Sequence, residues 1–407
     1  MKKKISVLAL ASIFVAGSAM ASGWRIPEQS VDSTAKSGAN IASSTRADTA
    51  YYNPANMAWM EDTFHLEVDA TYLYLSEIEY EDVNPARSGD SEGEHFFIPT
   101  GFMVSPSYGG ARFGFAITAP AGLSKRWKDP YPKTFAEEFS LAVIEANPTV
   151  SYSFGNMVSI AGGVRMLYAD ATVKSNGSDF FGADVLSRDM EGDTVEWGWN
   201  VALAVKPTEK LNISATYRSH VDLDFEDDAD LTFLTSTGIV KRTFDAEVSV
   251  PVPAVFALSV AYDVLDNLNV ELTWDRTFWS EYEDLDFNFS PVIPGNPFEA
   301  VMVRDWDDTD AYRIGLTWAV NETWTLMGGF AYDENPAPEE NIGFELPDSD
   351  AWIYSLGAQY KVNEKMDLGI AALYDYKESR TVENDNINGK FSNASALLVT
   401  VGMNYRF

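Results

Sequence analysis

The chain has no cysteine and only three histidines in 407 residues. Missing thiols exclude a disulfide framework, thiolate zinc sites and cysteine nucleophiles. His65, His95 and His220 are scattered, without metal-ligand spacing. A glycine-rich phosphate loop and a Gly-x-Ser-x-Gly elbow are also missing. Ser219 and His220 are adjacent, so in a strand they point to opposite faces and cannot form a nucleophile–base pair. No catalytic residue, cofactor or metal is therefore expected, and the chain is not read as an enzyme. Positive charge is scarce too: 29 Lys+Arg face 61 Asp+Glu, a net charge of −32. Nothing here supplies the phosphate-neutralising surface a nucleic acid requires. Beyond the N-terminus, no stretch reaches the roughly 18 apolar residues of a spanning helix.

Aromatic residues are abundant, at 13 %. Together with many β-branched residues they argue for a folded chain despite its charge. Met1–Ala21 has the form of a secretory signal peptide: Lys2, Lys3 and Lys4, a short apolar run from Ile5 to Val15, then Ala19-Met20-Ala21. The mature chain is thus exported, as a periplasmic protein or as a membrane β-barrel.

Period-two alternation favours the barrel. In Phe64–Tyr74 the even positions are Phe64, Leu66, Val68, Ala70, Tyr72 and Tyr74, whereas His65, Glu67, Asp69 and Thr71 fill the odd ones. Fourteen such segments are expected, near 64–79, 94–106, 109–119, 146–154, 158–174, 193–206, 210–226, 241–263, 267–283, 301–320, 323–334, 349–362, 365–379 and 391–407. Short connections alternate with long ones, as in outer-membrane barrels. Apolar faces then meet lipid, polar faces line the lumen, and closure satisfies the backbone. Trp197, Trp199, Trp274, Trp279, Trp318, Trp324 and Trp352 lie where an aromatic girdle would sit. The acidic runs Glu79-Glu81-Asp82, Glu226-Asp227-Asp228 and Asp305-Asp307-Asp308 read as solvated faces. Domains are set at 1–21 (leader), 22–60 (a plug) and 61–407 (the barrel), because some 40 residues before the first strand are too many for a linker.

Several motifs carry a resemblance. Gly23-Trp24-Arg25-Ile26-Pro27-Glu28-Gln29-Ser30, Asn53-Pro54-Ala55, Asp310-Ala311-Tyr312-Arg313-Ile314-Gly315-Leu316 and Asp333-Glu334-Asn335-Pro336-Ala337-Pro338 occur in this order. Leu346-Pro347-Asp348-Ser349-Asp350 and the terminal Phe407 follow. In their order and spacing these resemble the FadL family of outer-membrane long-chain fatty acid transporters. The resemblance implies an all-β, 14-stranded antiparallel transmembrane β-barrel with an N-terminal hatch in its lumen, in the outer membrane of a Gram-negative bacterium. It implies uptake of long-chain fatty acids or related hydrophobic compounds: capture at extracellular loops, transfer to a lumen pocket, and lateral exit by a kink in strand three. A general porin and a surface receptor barrel are the alternatives.

Asn53, Pro54 and Ala55 are expected at the lateral gate. Gly114, between Phe113 and Phe115, is the candidate for the kink, since glycine inside a strand marks a bulge or a close approach. Trp127, Tyr131, Phe135, Phe139, Leu141 and Ile144 crowd the 120–145 connection and offer a hydrophobic capture surface. Arg165, Lys174 and Arg313 are candidates to receive a carboxylate. Some relatives carry a lysine just before the Asp-Ala-Tyr-Arg motif, where this chain has Thr309. Expected partners are the hydrophobic ligand, outer-membrane lipid and lipopolysaccharide, and the barrel assembly machinery, which would read the strand ending in Phe407. A monomer is expected.

Overall fold

The computed structural model describes residues 23–407. The leader assigned to Met1–Ala21 lies outside the described residues. Fourteen antiparallel strands form one closed barrel. They are β1 His65–Leu75, β2 Glu94–Val104, β3 Ala111–Arg126, β4 Glu138–Phe154, β5 Val158–Asn176, β6 Leu186–Thr208, β7 (Leu211–Arg218 and Val221–Thr235), β8 (Gly238–Val252 and Ala254–Leu265), β9 Leu268–Phe278, β10 Thr309–Ala319, β11 Trp324–Asp333, β12 Ala351–Lys361, β13 Met366–Lys377 and β14 Ser395–Arg406. The ring closes where β1 pairs with β14, from His65↔Arg406 to Leu75↔Ala396. Closure leaves no sheet edge in lipid.

The alternation read in the sequence is the alternation of faces. In β1, His65, Glu67, Asp69 and Thr71 are buried in the lumen, and Val68 is exposed to lipid. Toward the outer end the lumen face changes character: the same parity becomes Leu73 and Leu75, both buried. β4 repeats the change, from Ser151, Asn147 and Glu145 to Val143, Leu141 and Phe139. The lumen is thus polar at one level and apolar above it.

Gly23–Met60 fills the polar level. Its first helix, α1 (Val31–Ala35), is N-capped by Ser30, whose Oγ accepts the Ser33 N–H at 3.2 Å. A second short helix, α2 (Thr49–Tyr52), leads into a 3-10 turn over Pro54–Trp59. Asn53 starts that turn by accepting the Ala55 N–H at 3.1 Å, and proline suits its first position because no donor is needed there. The plug is tied to the wall by charge. Glu271 of β9 accepts the N–H groups of Ile41, Ala42 and Ser43 at 2.7, 2.7 and 3.0 Å, and the Ser43 hydroxyl as well. Three successive amides make an anion nest. Arg313 of β10 donates to the Ser37 carbonyl at 3.1 Å while paired with Asp275 and Asp333.

Three expectations change. The expected 120–145 loop is mostly strand: β3 runs on to Arg126 and β4 begins at Glu138, leaving helix α3 (Pro130–Ala136) between them. The expected 227–240 loop is a hairpin with a turn at Ser236-Thr237. In the first region residues 118–125 are buried on both faces, so alternation fades although pairing continues; the second keeps an exposed face, with Leu234 and Ile239 open to solvent near its tip. Trp279 is not in a girdle; it is buried in the lumen, whereas Trp197, Trp199, Trp318 and Trp324 are exposed on the wall.

Candidate functional site

β3 is where the barrel wall fails to close. Only Gly101↔Ile117, Phe102↔Ala116, Met103↔Phe115 and Val104↔Gly114 join β2 to β3. Above them β3 slips register against β4 between Thr118 and Ala121, so three steps on β3 face two on β4. This is a β-bulge, which bends the strand that carries the extra residue. Pro120 sits in it, lacking the N–H that a ladder would need. Backbone contact with the β2 side resumes at the Ser91–Trp127 bridge and the Glu92 N–H to Arg126 C=O bond of 2.8 Å, and there the Glu94 side chain also binds Ser124 and Arg126. The backbone ladder between β2 and β3 is therefore interrupted, and this gap, the window, is filled by side chains: Phe96 and Ile98 of β2, Ala119 of β3 and Ile26 of the plug pack in one buried cluster.

The kink's freed backbone groups are taken by the N-terminal segment. Gln29 donates Nε2–H to the Ala119 carbonyl at 2.9 Å, and its Oε1 accepts the Ala119 N–H at 2.7 Å. The Ile26 N–H reaches the Pro120 carbonyl at 2.9 Å, and the Gly122 N–H reaches the Trp24 carbonyl at 2.9 Å. Thr100 of β2 donates to the Gln29 carbonyl at 2.7 Å. One glutamine thus satisfies the bulge and spans the window.

The kink is not at Gly114, which is a close-approach glycine. A Cβ there would lie 2.5 Å from Thr149 Oγ1 and 2.7 Å from Met57 Sδ. Phe113, exposed, and Phe115 sit on the lipid side below the window. Asn53, Pro54 and Ala55 are buried, and Ala55 packs on Ala202 and Ala204 of β6. The kink itself meets Trp24, Ile26 and Gln29 instead. Nothing in a single-strand pattern marks Gln29, since its role depends on a bulge ninety residues away.

Above the plug lies an apolar pocket. Trp24, Leu123, Leu141, Val173, Phe287 and Trp306 are among its walls. Trp24 meets Trp279, Trp306 and Tyr282 with ring centroids 4.6, 5.0 and 5.1 Å apart. Gly23 permits this stack: its φ is +69°, and a Cβ would lie 2.6 Å from the Trp279 ring. The free space is about 70 Å³, well under the roughly 300–1,000 Å³ of a pocket holding a whole ligand. Admitting a chain therefore means displacing wall side chains.

The expected capture residues divide into three groups. Phe139 and Leu141 are pocket walls on β4. Trp127 and Tyr131 are buried in the extracellular cap, where Trp127 Nε1–H donates to the Phe344 carbonyl at 2.8 Å. Phe135, on α3, stacks on Phe344 at 5.5 Å, and Tyr131 contacts Phe180 at 5.1 Å. Phe180 and Phe181, in helix α4 (Ser178–Phe181), remain exposed beside them. Ile144 belongs to none of these: it lies on the lipid-side face of β4, between lumen-facing Val143 and Glu145.

The carboxylate candidates are all engaged. Arg165 pairs with Glu145 at 2.9 Å and donates to the Ser219 carbonyl at 2.5 Å. Lys174 pairs with Glu191 and Asp189 at 3.0 and 3.1 Å. Arg313 is held by Asp275 at 2.7 Å and Asp333 at 2.9 Å. Arg188 differs, although it lies outside the expected strands. It is 4 % exposed, and its guanidinium lies 4.6 Å from the Phe287 ring centre, 5.3 Å from Phe298 and 5.6 Å from Phe139. Its Nε–H has no partner. Glu345, the carboxylate nearest in influence, is bonded to Arg304 at 2.6 Å. An arginine so placed, behind two pocket walls, is a ready receptor for an anion.

The whole-chain comparisons agree with this architecture. Residues 12–407 match the family described as outer membrane protein transport protein (OMPP1/FadL/TodX). Outer membrane protein P1 of Haemophilus influenzae is 24 % identical over 99 % of both chains. The long-chain fatty acid transport protein of Escherichia coli K12 is 21 % identical over 76 % of this chain and 77 % of that one. Among solved structures, a Pseudomonas aeruginosa FadL homologue superposes with a TM-score of 0.84 at 18 % identity, covering 95 % of this chain and all of that one. The Pseudomonas putida toluene transporter TodX gives 0.72 at 18 % identity, covering 93 % and 98 %. A closed 14-stranded barrel with a plugged lumen, an apolar pocket and a wall opened at its third strand is thus an outer-membrane protein that belongs to the OMPP1/FadL/TodX family of transporters for hydrophobic compounds.

Proposed function

We propose that this protein takes up long-chain fatty acids, or other carboxylate-headed amphiphiles, across the outer membrane. The observation that carries the reading is Arg188, a buried cation that forms no ion pair among the described residues and is held by three aromatic rings at the edge of an apolar pocket. In a chain of net charge −32, buried arginines are normally paired, as Arg165 and Arg313 are. An unpaired one is costly unless a ligand completes it. The ligand first meets Phe180 and Phe181 beside α3. Its tail then displaces pocket side chains while its carboxylate meets Arg188. It leaves through the window between β2 and β3 into the bilayer, which an apolar tail enters at no hydration cost.

Uptake of labelled oleate by cells lacking their own transporter tests this. Wild-type protein gives saturable uptake, and Arg188→Met, which keeps the stacked volume, cuts oleate binding by about tenfold, the loss of one charge-assisted contact. Oleate uptake equal to that of empty cells, with the barrel correctly inserted, overturns the reading.

A second reading is an uncharged aromatic hydrocarbon, favoured by the mainly apolar and aromatic pocket walls, whose two charged members, Arg304 and Glu345, are paired with each other. It expects toluene uptake unaffected by Arg188→Met.

A further inference from the structure

We propose that Lys125 is a second receptor for the ligand's carboxylate, stationed between the pocket and the lateral window. The inference rests on the carboxylate reading above. Lys125 lies two residues beyond Leu123, a pocket wall, and so on the same face of β3. Across the β3–β4 pair it stands opposite Phe139, which both lines the pocket and contacts the Arg188 guanidinium. Its ammonium reaches toward Ser91, in the segment that closes the β2–β3 gap from above. Among the described residues its one hydrogen bond is a long one, 3.5 Å, to Ser91 Oγ, and Ser91 bridges Trp127 at the upper end of the gap.

This amine is 1 % exposed and forms no ion pair among the described residues. Glu94, the carboxylate whose charge bears on it, is bound through Oε2 by Arg126 and the Ser124 hydroxyl; its Oε1 is buried and makes no hydrogen bond to Lys125. The other charge bearing on it is a cation, Lys377, which is itself bound to Asp348. Lys36, also buried, shows what a settled lysine looks like here: it donates to Asn40 Oδ1 at 2.7 Å and Ser43 Oγ at 2.9 Å. Lys125 has three N–H donors and spends one weakly. A carboxylate that arrives supplies the acceptor that the fold withholds from the remaining donors.

The position also suits the physics of release. A carboxylate leaving Arg188 with nothing to receive it would be stranded in an apolar channel. With Lys125 at the rim, the tail passes through the window into lipid while the headgroup stays at the outer end, where a fatty acid's carboxylate comes to rest in a bilayer.

The test compares oleate with oleyl alcohol, which has the same chain and no charge. Uptake of both is measured in cells lacking their own transporter, with wild type, Lys125→Met and Lys125→Arg, together with equilibrium oleate binding to the purified proteins. Lys125→Met is expected to slow oleate uptake about tenfold, the value of one charge-assisted contact, and to leave oleyl alcohol uptake and the oleate Kd within about twofold. Lys125→Arg restores most of the oleate rate. Loss of both uptakes together overturns the proposal and makes Lys125 a purely structural residue. So does unchanged oleate uptake by Lys125→Met. If wild type does not distinguish the two ligands and Arg188→Met changes neither, the carboxylate reading fails and takes this inference with it. A preference for oleate that is lost in Arg188→Met but kept in Lys125→Met overturns this inference alone.

Discussion

Two seams of the same barrel, β1–β14 and β2–β3, teach different lessons. The first joins strands from opposite ends of the chain and pairs without interruption from His65↔Arg406 to Leu75↔Ala396. The second joins sequence neighbours across a short turn and holds only from Val104↔Gly114 to Gly101↔Ile117. Sequence proximity did not decide pairing; residue chemistry did. β14 presents an unbroken alternating run, whereas β3 places Pro120 and an extra residue at mid-height. An unpaired strand edge facing lipid is costly. The open seam persists because Gln29, Ile26 and Trp24 satisfy the kink from inside, and Thr100 reaches Gln29 from the other strand.

Closing the open seam is the most disruptive way to test the comparison. The chain has no cysteine, so an introduced pair is unambiguous. Ile98→Cys with Ala119→Cys, oxidised across the window, is expected to reduce oleate uptake at least about tenfold, because it locks a moving gate. Reductant restores uptake. Tyr72→Cys with Val399→Cys, a register pair of the closed seam, is expected to leave uptake unchanged under the same oxidation. Equal sensitivity of the two seams would remove the window from the route.

The anchors of the plug rank next. Glu271→Ala leaves the Ile41, Ala42 and Ser43 amides without their acceptor, and each buried orphan costs about 1–3 kcal/mol. Faster hydrogen exchange at residues 41–43 is expected, with the barrel itself intact on unheated gels. Gln29→Leu strips both Ala119 backbone groups of their partner. Its expected cost, about 2 kcal/mol, falls on the open seam alone. Exchange should rise at Ala119 and stay constant at Thr71 and Val401 in the closed seam.

The smallest effect is a pH dependence. Within the plug, burial raises the Glu28 pKa to about 7, and burial with the Asp32 charge raises that of Asp48 to about 6. A carboxyl with a raised pKa holds its proton more tightly in the folded plug than in the unfolded chain, where the value is about 4. Its contribution is complete below that value and is lost as pH climbs toward 7. Plug amides, corrected for intrinsic exchange, are expected to exchange faster at pH 8 than at pH 5, while closed-seam amides do not.

The balance between plug and wall explains how far sequence reading reached the site. Arg165 and Arg313 were recognisable as lumen-facing arginines from parity alone. So acidic a chain also favours their being paired; which partners hold them was not legible, because those are remote or depend on register: Glu145 is shared by Arg165 and by Arg218, 73 residues further on. Lys125 escaped because it sits on a strand extension where both faces are covered and alternation fades; at Arg188 burial still alternates, but its strand begins at Leu186, before the expected start at 193. Gly114 drew attention as an interior glycine. Its reason is the plug packed against it, while the kink came from Pro120 and the register slip beside it.

By itself the sequence determined the number of strands, the parity that faces lipid and the presence of a segment too long to be a linker. Each follows from a local rule: side chains alternate along a strand, and lipid accepts only one of the two faces. The tertiary structure alone decided which seam opens and which buried cations keep an unspent charge. Those depend on what stands opposite a residue across the lumen, and closure brings Gln29 to Ala119 and Phe139 to Arg188 whatever their separation along the chain.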